Sequence, residues 1–378
     1  MPSSLDTYAG SGFNVANVMA RALTSSGHSW EYGTAAQALL ELRNPQIGIF
    51  GNPFPDDELP TAVTLENVPS LTYVKPFIRL DNDTLIDGDG AVGDPASLGV
   101  SALLLGQSDK AYAAAAQRQS DHILNKAPRY ENGAISHREN EAELWADFVY
   151  MAPPFLAYQA VASNNKTLLR EAGHQCLLQQ EILRPQRSHN RTRGLWRHII
   201  GPDDAQDLGF WATGNGWAAA GMTRVLATIQ HWGPSKSWTS EQYSLKKSII
   251  DILNGAAHAA RRGQPPLLCN YLDDGTWFAD AASTAIIASV AYRMAVLAPD
   301  VTKQHHIAFA DKLRKAVEAH VDNATGLVAP TVNSLDWKSR IPSAEGSPEG
   351  QSFAVLMFAA HRDYCMQAGK GNQGCERF

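Results

Sequence analysis

The 378-residue sequence predicts an all-α protein whose single domain, residues 1–378, forms an (α/α)6 barrel. Apolar residues recur at the spacing of a helix face in roughly a dozen segments along the chain. Runs that alternate apolar and polar residues, which would indicate strands, are almost absent, and no evident linker divides the chain. Because the predicted helices follow one another in pairs, we expect a closed ring of helical hairpins.

The first third of the chain is predicted to hold four helices, of which the first two form an antiparallel pair. They span residues 14–23, 34–42, 96–105 and 109–124. Asp and Gly alternate over 81–95 in a pattern similar to a calcium loop, but Leu85 falls on a ligand position, which favours a solvated loop. Asp94 directly precedes the third helix and is expected to cap it.

A helical pattern also covers 141–162, which includes Pro153 and Pro154. Further helices are predicted at 166–183, 218–230, 240–260, 281–297, 304–321 and 349–362. The long irregular stretch 184–217 is rich in Trp, His, Arg and Gly. Long loops within compact domains tend to carry function, so we expect part of a site there.

Asp147 is a single carboxylate among residues that are expected to be buried. Leu144, Phe148, Met151 and Phe155 recur at helical spacing, and Asp147 lies on the same face. Loss of hydration there would favour the protonated carboxyl and make Asp147 a candidate general acid. Alternatively, Asp147 is an N-cap whose carboxylate accepts a backbone N–H of a helix that begins at Phe148.

The composition argues against several classes of protein. A net charge of −6 disfavours a nucleic-acid partner, and no apolar run reaches the roughly 18 to 20 residues of a membrane span. The start of the chain lacks the charged-then-apolar order of a signal peptide, which indicates a cytoplasmic protein as written. Cys365 and Cys375, close enough for a disulfide, and four sequons point instead to secretion. The sequons lie at Asn82, Asn165, Asn190 and Asn323.

Two short motifs are similar to cofactor-binding signatures but lack their structural context. The segment DDAQD, 203–207, has the DDxxD form by which helical terpene cyclases bind magnesium diphosphate, but it lies in a predicted loop. Gly214, Gly216 and Ala219 match a dinucleotide fingerprint that has meaning only between a strand and a helix. There is no CxxC or HExxH motif, and we predict neither a metal nor another cofactor.

Aromatic side chains concentrate in the irregular stretch and near Asp147. Flat rings with polar edges suit a sugar, whose C–H face stacks on an indole while its hydroxyls bind His or carboxylate groups. Any one Trp could serve packing alone, but four of them beside a candidate acid favour a carbohydrate site. The aromatic candidates are His137, Trp145, Trp196, His198, Trp211 and Trp217.

These motifs resemble those of the unsaturated rhamnogalacturonyl hydrolases and unsaturated glucuronyl hydrolases, glycoside hydrolase families 105 and 88. LWADFVYMAPPFLAY is similar to the family segment Trp-x-Asp-x-x-Tyr-Met-x-x-Pro-Phe, GFWATGNGW to Trp-x-Arg-x-x-Gly-Trp, and DPASLG to the segment that carries a second Asp. The resemblance implies a six-hairpin glycosidase fold. It also implies that Asp147 is the general acid and base and Asp94 its carboxylate partner, while His198, Trp211 and Trp217 line the sugar pocket.

One position departs from the family pattern. Thr213 stands where the family has an Arg, which would be a natural partner for an acidic sugar. Thr213 is still counted among the candidate substrate-binding residues because of its place in the motif. Arg193, Arg197 or the helix N-terminus near Gly216 are the candidates to replace the missing cation. Alternatively, the enzyme accepts a different sugar.

The expected substrate is an oligosaccharide left by a polysaccharide lyase, with a 4,5-unsaturated glucuronyl or galacturonyl residue at its non-reducing end. The resemblance implies that the enzyme hydrates the C4=C5 enol ether without a cofactor. Two alternatives come from other classes of function. One is a helical toroid that binds acidic glycans without turnover, and the other is a hydrolase of saturated glycosides, which needs two carboxylates at set distances.

Overall fold

The computed structural model describes residues 12–61, 63–186, 192–202, 206–260, 267–368 and Cys375. The helices are α1 (Val15–Ser25), α2 (Ser29–Arg43), α3 (Pro69–Val74), α4 (Gly99–Leu105), α5 (Lys110–Asn125), α6 (Phe148–Ala162), α7 (Lys166–Leu183), α8 (Ala212–His231), α9 (Thr239–Ala260), α10 (Ala281–Leu297), α11 (Gln304–Glu318) and α12 (Pro348–Ala368). The two-residue strands are β1 (Leu144–Trp145), β2 (Ile199–Ile200), β3 (Leu268–Cys269), β4 (Ala279–Asp280), β5 (Val321–Asp322) and β6 (Leu327–Val328).

The even-numbered helices form an inner ring. Helix α2 contacts the 3-10 turn Asp94–Leu98, which leads into α4; α6, α8, α10 and α12 follow in contact, and α12 returns to α2. The odd-numbered helices pack outside this ring, each mainly against the inner helix that precedes it in the chain, and α1 packs mainly against α12. The arrangement confirms the predicted (α/α)6 barrel.

Inner and outer helices differ in how much of their circumference is apolar. In α6 every residue from Phe148 to Val161 is buried, and in α10 every residue from Ala281 to Met294 is buried. Helix α7 buries Leu169, Ala172 and Cys176 on one side and exposes polar residues on the other. A helix that is apolar on all sides needs neighbours on all sides, which places α6 and α10 inside the ring.

The two prolines in α6 leave the helix unbroken. Pro153 and Pro154 have no N–H to give to the carbonyls of Val149 and Tyr150 one turn earlier. The backbone of α8 approaches at this point, and a Cβ added to Gly221 would lie only 2.0 Å from the Val149 oxygen. Glycine at 221 therefore permits the close contact between α6 and α8.

Three local predictions need correction. Leu144–Trp145 is not helical but pairs as β1 with β2, so α6 begins at Phe148. The short helix α3 was not predicted. Asp94 does not cap a helix from outside but begins the 3-10 turn, where Gly93 occupies the N-cap position.

Cys365 and Cys375 form the disulfide that their spacing allowed, and Cys176 and Cys269 are buried thiols. Within the described part of the chain, no helix is both long and apolar enough to cross a bilayer.

A buried ion network ties four inner helices together. Glu41 of α2 lies 2.6 Å from Arg224 Nη1 of α8 and 2.8 Å from Arg293 Nη2 of α10. Arg293 also pairs with Asp363 of α12 at 2.5 Å, and Arg362 donates to the Glu41 carbonyl at 2.9 Å. Glu41 and both arginines of α8 and α10 are buried, so each charge depends on its partners.

We expect Glu41→Ala to lower the free energy of unfolding by about 3–5 kcal/mol, because removing one member of a buried pair leaves the others uncompensated. Urea unfolding followed by circular dichroism measures the change. Glu66→Ala is the matched control, since Glu66 is exposed. A loss for Glu41→Ala no larger than that of the control would contradict the assigned role of the network.

Candidate active site

One cavity of about 270 Å³ opens at the end of the ring where outer helices connect to the inner helices that follow them. Most of its lining residues lie in these connections or in the first turn of an inner helix. The lining consists of His28, Trp30, Gly88, Asp89, Asp94, His137, Arg138, Trp145, Asp147, Met151, His198, Trp211, Trp217, Ser334, Leu335 and Trp337.

The structure brings seven of the eight predicted site residues to this cavity. The two carboxylates, although 53 positions apart in sequence, both line it. Thr213 is the exception, and Trp196 is fully buried away from the lining. The seven residues are Asp94, His137, Trp145, Asp147, His198, Trp211 and Trp217.

Short backbone pairings set the acid beside a histidine. Strand β1 pairs with β2, and the Ala146 N–H donates to the His198 carbonyl at 3.0 Å. Asp147 is the second residue after β1, and His198 directly precedes β2. As a result Asp147 Oδ2 and His198 Nε2 lie 3.3 Å apart.

The capping interpretation of Asp147 is wrong for its side chain. Asp147 does occupy the N-cap position of α6, but its carboxylate accepts no hydrogen bond from the first turn. The side chain instead points toward the cavity, where Met151 also contributes to the lining. The carboxylate is therefore directed at a ligand and at His198 rather than at its own helix.

Asp94 holds a proton at neutral pH. Burial, followed by the charge of Asp147, raises the pKa of Asp94 to about 8. His137 Nε2 lies 3.7 Å away, and burial lowers the pKa of His137 to about 3, so this ring stays neutral. The charge of Asp147 thus acts on Asp94, the partner that the family resemblance implies for it.

His198 is buried between two carboxylates. Its Nε2 faces Asp147, and its Nδ1 lies 3.0 Å from Asp207 Oδ2. Burial alone would lower the pKa of His198, but the charges and hydrogen bonds of Asp147 and Asp207 outweigh it and raise the pKa. The imidazolium form is thus favoured in spite of burial.

Aromatic rings surround His137 and His198. His198 contacts Trp211 at a centroid distance of 4.3 Å, and His137 stacks on Trp145 at 4.7 Å. Trp337, which the sequence analysis missed, lies 5.3 Å from Trp145 and meets it edge to face. No local pattern marks Trp337, because it reaches the cavity only through the long connection before α12.

Arg138, His28 and Trp30 are further lining residues that the sequence analysis did not identify. His28 stacks on Trp30 at 4.8 Å, and the indole N–H of Trp30 donates to Glu349 of α12 at 2.6 Å. Ser334 donates to the same Glu349 oxygen at 2.6 Å. Glu349, itself buried, therefore fixes two parts of the cavity wall.

Thr213 and its proposed substitutes lie elsewhere. The Thr213 side chain is 1% exposed, and its hydroxyl is 3.5 Å from Asp280 Oδ2. Arg193 is exposed and Arg197 half-buried, and neither lines the cavity. At Gly216 an added Cβ would lie 2.3 Å from Ile286, so the backbone there is covered by α10. The prediction that these four positions contact the substrate is therefore wrong for this cavity.

Of the DDxxD motif, only Gln206 and Asp207 lie in the described part of the chain. Residues 203–205 lie outside the described ranges, and Asp207 is bonded to His198. Among the residues that the structure describes, one group has the proximity of metal ligands: His361, Cys365 and Cys375. Two of its three members are joined as a disulfide, which leaves no thiolate for a metal.

A ring of helical hairpins with two carboxylates in an aromatic cavity is an arrangement that suits a helical glycoside hydrolase. The family model described as Glycosyl Hydrolase Family 88 matches residues 99–331. The chain belongs to glycosyl hydrolase family 88.

Three known proteins illustrate what this chain is similar to. The unsaturated rhamnogalacturonyl hydrolase YesR of Bacillus subtilis (strain 168) is 23% identical over 262 residues, 66% of this chain and 71% of that protein. A possible family 105 member from Klebsiella pneumoniae has a TM-score of 0.72, with 16% identity over 92% of this chain and 91% of the other. The unsaturated glucuronyl hydrolase of Bacillus sp. GL1 has a TM-score of 0.60, with 12% identity over 91% and 94%.

We expect the raised pKa of Asp94 to appear in the pH dependence of stability. Between the unfolded pKa near 4 and the folded pKa of about 8, only the folded state binds this proton, so stability falls as pH rises through that window. In Asp94→Asn this fall should be smaller. Urea unfolding at pH 5, 7 and 9 measures it.

The matched control is Asp121→Asn, an exposed carboxyl on α5. Parallel stability profiles for the wild type and Asp94→Asn would show that Asp94 does not hold the proton.

Proposed function

We propose that this chain hydrolyses oligosaccharides that begin, at the non-reducing end, with a 4,5-unsaturated uronic acid. The observation that carries the proposal is the position of Asp147, which faces an aromatic cavity and contacts a buried His198. Family membership and the activity in the name of the Bacillus subtilis relative support the same substrate class. Both favour an enzyme over a binding toroid.

The substrate's carboxylate needs a cation in the cavity. Among the described lining residues, Arg138 is the one Lys or Arg side chain. Its Nη2 donates to the Asp89 carbonyl at 3.2 Å, so the guanidinium keeps other N–H groups for a ligand. Its backbone bridges to Ala91, three residues before Asp94, which holds the cation close to the proposed acid pair. We assign to Arg138 the recognition of the uronate, in place of the Arg missing at position 213.

The chemistry follows from the polarity of the double bond. The C4=C5 bond is an enol ether and is electron-rich at C4. Asp147 delivers a proton to C4, and positive charge develops at C5 and the ring oxygen. A water that loses its proton to Asp147 adds at C5. The hemiketal that results opens and expels the neighbouring sugar, so the glycosidic bond breaks without attack at the anomeric carbon.

The remaining lining residues orient the ring. Asp94 is protonated at neutral pH and therefore donates a hydrogen bond to a sugar hydroxyl. The indole faces of Trp145, Trp211 and Trp337 surround the cluster and suit the C–H faces of a pyranose. The neutral His137 completes the polar edge.

Turnover of an unsaturated uronyl disaccharide in heavy water tests the proposal. We expect deuterium at C4 of the released keto-sugar as the absorbance of the conjugated bond disappears, measured by NMR and mass spectrometry. Asp147→Asn should lower kcat by about 10²-fold or more with the fold intact, since general acid–base groups contribute ~10² to 10⁴.

Asp121→Asn serves again as the matched control with normal turnover. Release of sugar without label at C4 would indicate hydrolysis of an ordinary glycoside instead. Binding of the disaccharide with no conversion over long incubation would indicate a binding protein.

We expect Arg138→Met to raise KM about ten- to hundred-fold, because a charge-assisted hydrogen bond contributes about 1.5–3 kcal/mol. Steady-state kinetics with the same disaccharide measures the effect. Arg79→Met, at a partly exposed arginine paired with Asp87, and Thr213→Val should leave KM unchanged. A rise in KM for Thr213→Val but not for Arg138→Met would reverse the assignment.

A further inference from the structure

Asp207, the last residue of the DDAQD motif, has no role in the function proposed above. Its carboxylate is buried and accepts three hydrogen bonds. The donors are His198 Nδ1 at 3.0 Å, the Tyr271 hydroxyl at 2.5 Å and the Gly209 N–H at 3.0 Å. Burial would raise the pKa of Asp207, but the hydrogen bonds from His198 and Tyr271 and the charge of His198 together lower it.

An ionised Asp207 decides which nitrogen of His198 keeps its proton. A carboxylate only accepts hydrogen bonds, so the nitrogen facing it must be a donor. His198 therefore retains Nδ1–H toward Asp207 in both of its charge states, and only Nε2 gains or loses a proton. That nitrogen lies 3.3 Å from Asp147 Oδ2.

Backbone pairing holds this row of side chains in place. Asp207 and Ile199 exchange two backbone hydrogen bonds, and the His198 N–H donates to the Gly209 carbonyl at 3.0 Å. Together with β1 and β2, these bonds place Asp147, His198 and Asp207 on three adjacent backbone segments. The imidazole has little freedom to turn, because it is fully buried within the aromatic cluster.

We propose that Asp207 is a positioning residue that orients His198 so that its Nε2 exchanges the catalytic proton with Asp147. The inference rests on the proposed function. In the first half-reaction Nε2–H passes its proton to Asp147, which delivers it to C4. In the second half, water adds at C5, its proton passes to Asp147, and Asp147 returns it to Nε2. The enzyme ends in its starting charge state.

The groups that face His198 support this exchange. Its two carboxylate partners are Asp147, at the start of α6, and Asp207, on the segment that pairs with Ile199. The Tyr271 hydroxyl donates a hydrogen bond to Asp207. The neutral His137 and the more distant Glu143 complete the titratable neighbours. Asp94 and His137 keep their neutral forms at neutral pH, so His198, whose pKa is raised, is the group that can pass a proton to Asp147.

Nitrogen NMR of protein with 15N-labelled histidine tests the geometry without substrate. The His198 signals are those absent from His198→Gln. In the wild type, Nδ1 should stay protonated across the titration while Nε2 titrates. In Asp207→Asn the midpoint should move to lower pH by about one unit or more, because an opposite neighbouring charge shifts a pKa by about 1–3 units.

Tyr271→Phe is a second variant, for which we expect the titration midpoint of His198 to move in the opposite direction. Loss of the Tyr271 hydrogen bond makes the Asp207 carboxylate a stronger partner for His198, so the midpoint should move to higher pH. A merely structural role would not produce opposite shifts. Leu208→Ala, at an exposed neighbour, is the control with an unchanged midpoint.

Kinetics completes the test. Asp207→Asn should lower kcat at least about ten-fold with little change in KM, as expected for a residue that acts by orienting a histidine. Leu208→Ala should retain full kcat. An unprotonated Nδ1 in the wild type, or an Asp207→Asn variant with wild-type midpoint and kcat, would overturn the proposal. A wild-type protein with the expected titration but no turnover of unsaturated uronides would instead contradict the proposed function.

Discussion

The pairing of Glu41 with two arginines is the interaction on which the closed ring depends most. Twelve helices can pack in pairs without closing, but Glu41 of α2 needs Arg224 of α8 and Arg293 of α10 at the same time. Arg293 extends the network to α12 through Asp363. A buried charge without its partner is costly, so the network stabilises only the closed arrangement. It lies among the inner helices that also carry the cavity.

The cavity contains three buried titratable groups whose neighbours give them different protonation states. Asp94 is neutral because it is buried beside another acid. His137 is neutral because burial lowers its pKa more than the charge of Asp147 raises it. The pKa of His198 is raised because Asp147 faces one of its nitrogens and Asp207 the other. The two histidines, which both contact Trp145, thus have pKa values shifted in opposite directions. Such perturbed pKa values are typical of sites of acid–base chemistry.

Helices were predictable because their signal is local, and so was most of the site. The bounds of α7 and α10 agree with the predicted segments, since periodic apolar residues determine both. Seven residues that line the cavity were predicted from motifs, aromatic density and the family resemblance. The strand at Leu144–Trp145 was missed because its partner, β2, is more than fifty residues away. Trp337 was missed because only tertiary packing brings it to the cavity. Arg138 directly follows the predicted His137, but the sequence does not show that its side chain also reaches the cavity.

Thr213 shows the opposite failure. Its position in a matching motif indicated a substrate contact, but the side chain turns toward Asp280 and away from the cavity. A motif predicts where the backbone runs more reliably than it predicts which way a replaced side chain points. Arg138, on a different segment, illustrates how a required charge is found only once the cavity is assembled.

Glu349 has a consequence for how the protein is made. It anchors Trp30, near the start of the chain, to the first turn of the last helix, and so links residues 319 positions apart. Contacts of such long sequence separation form late, because the intervening chain must be ordered first. On the ribosome, the early helical hairpins can form while the cavity wall is still incomplete. A nascent chain therefore lacks the finished cavity until α12 has emerged.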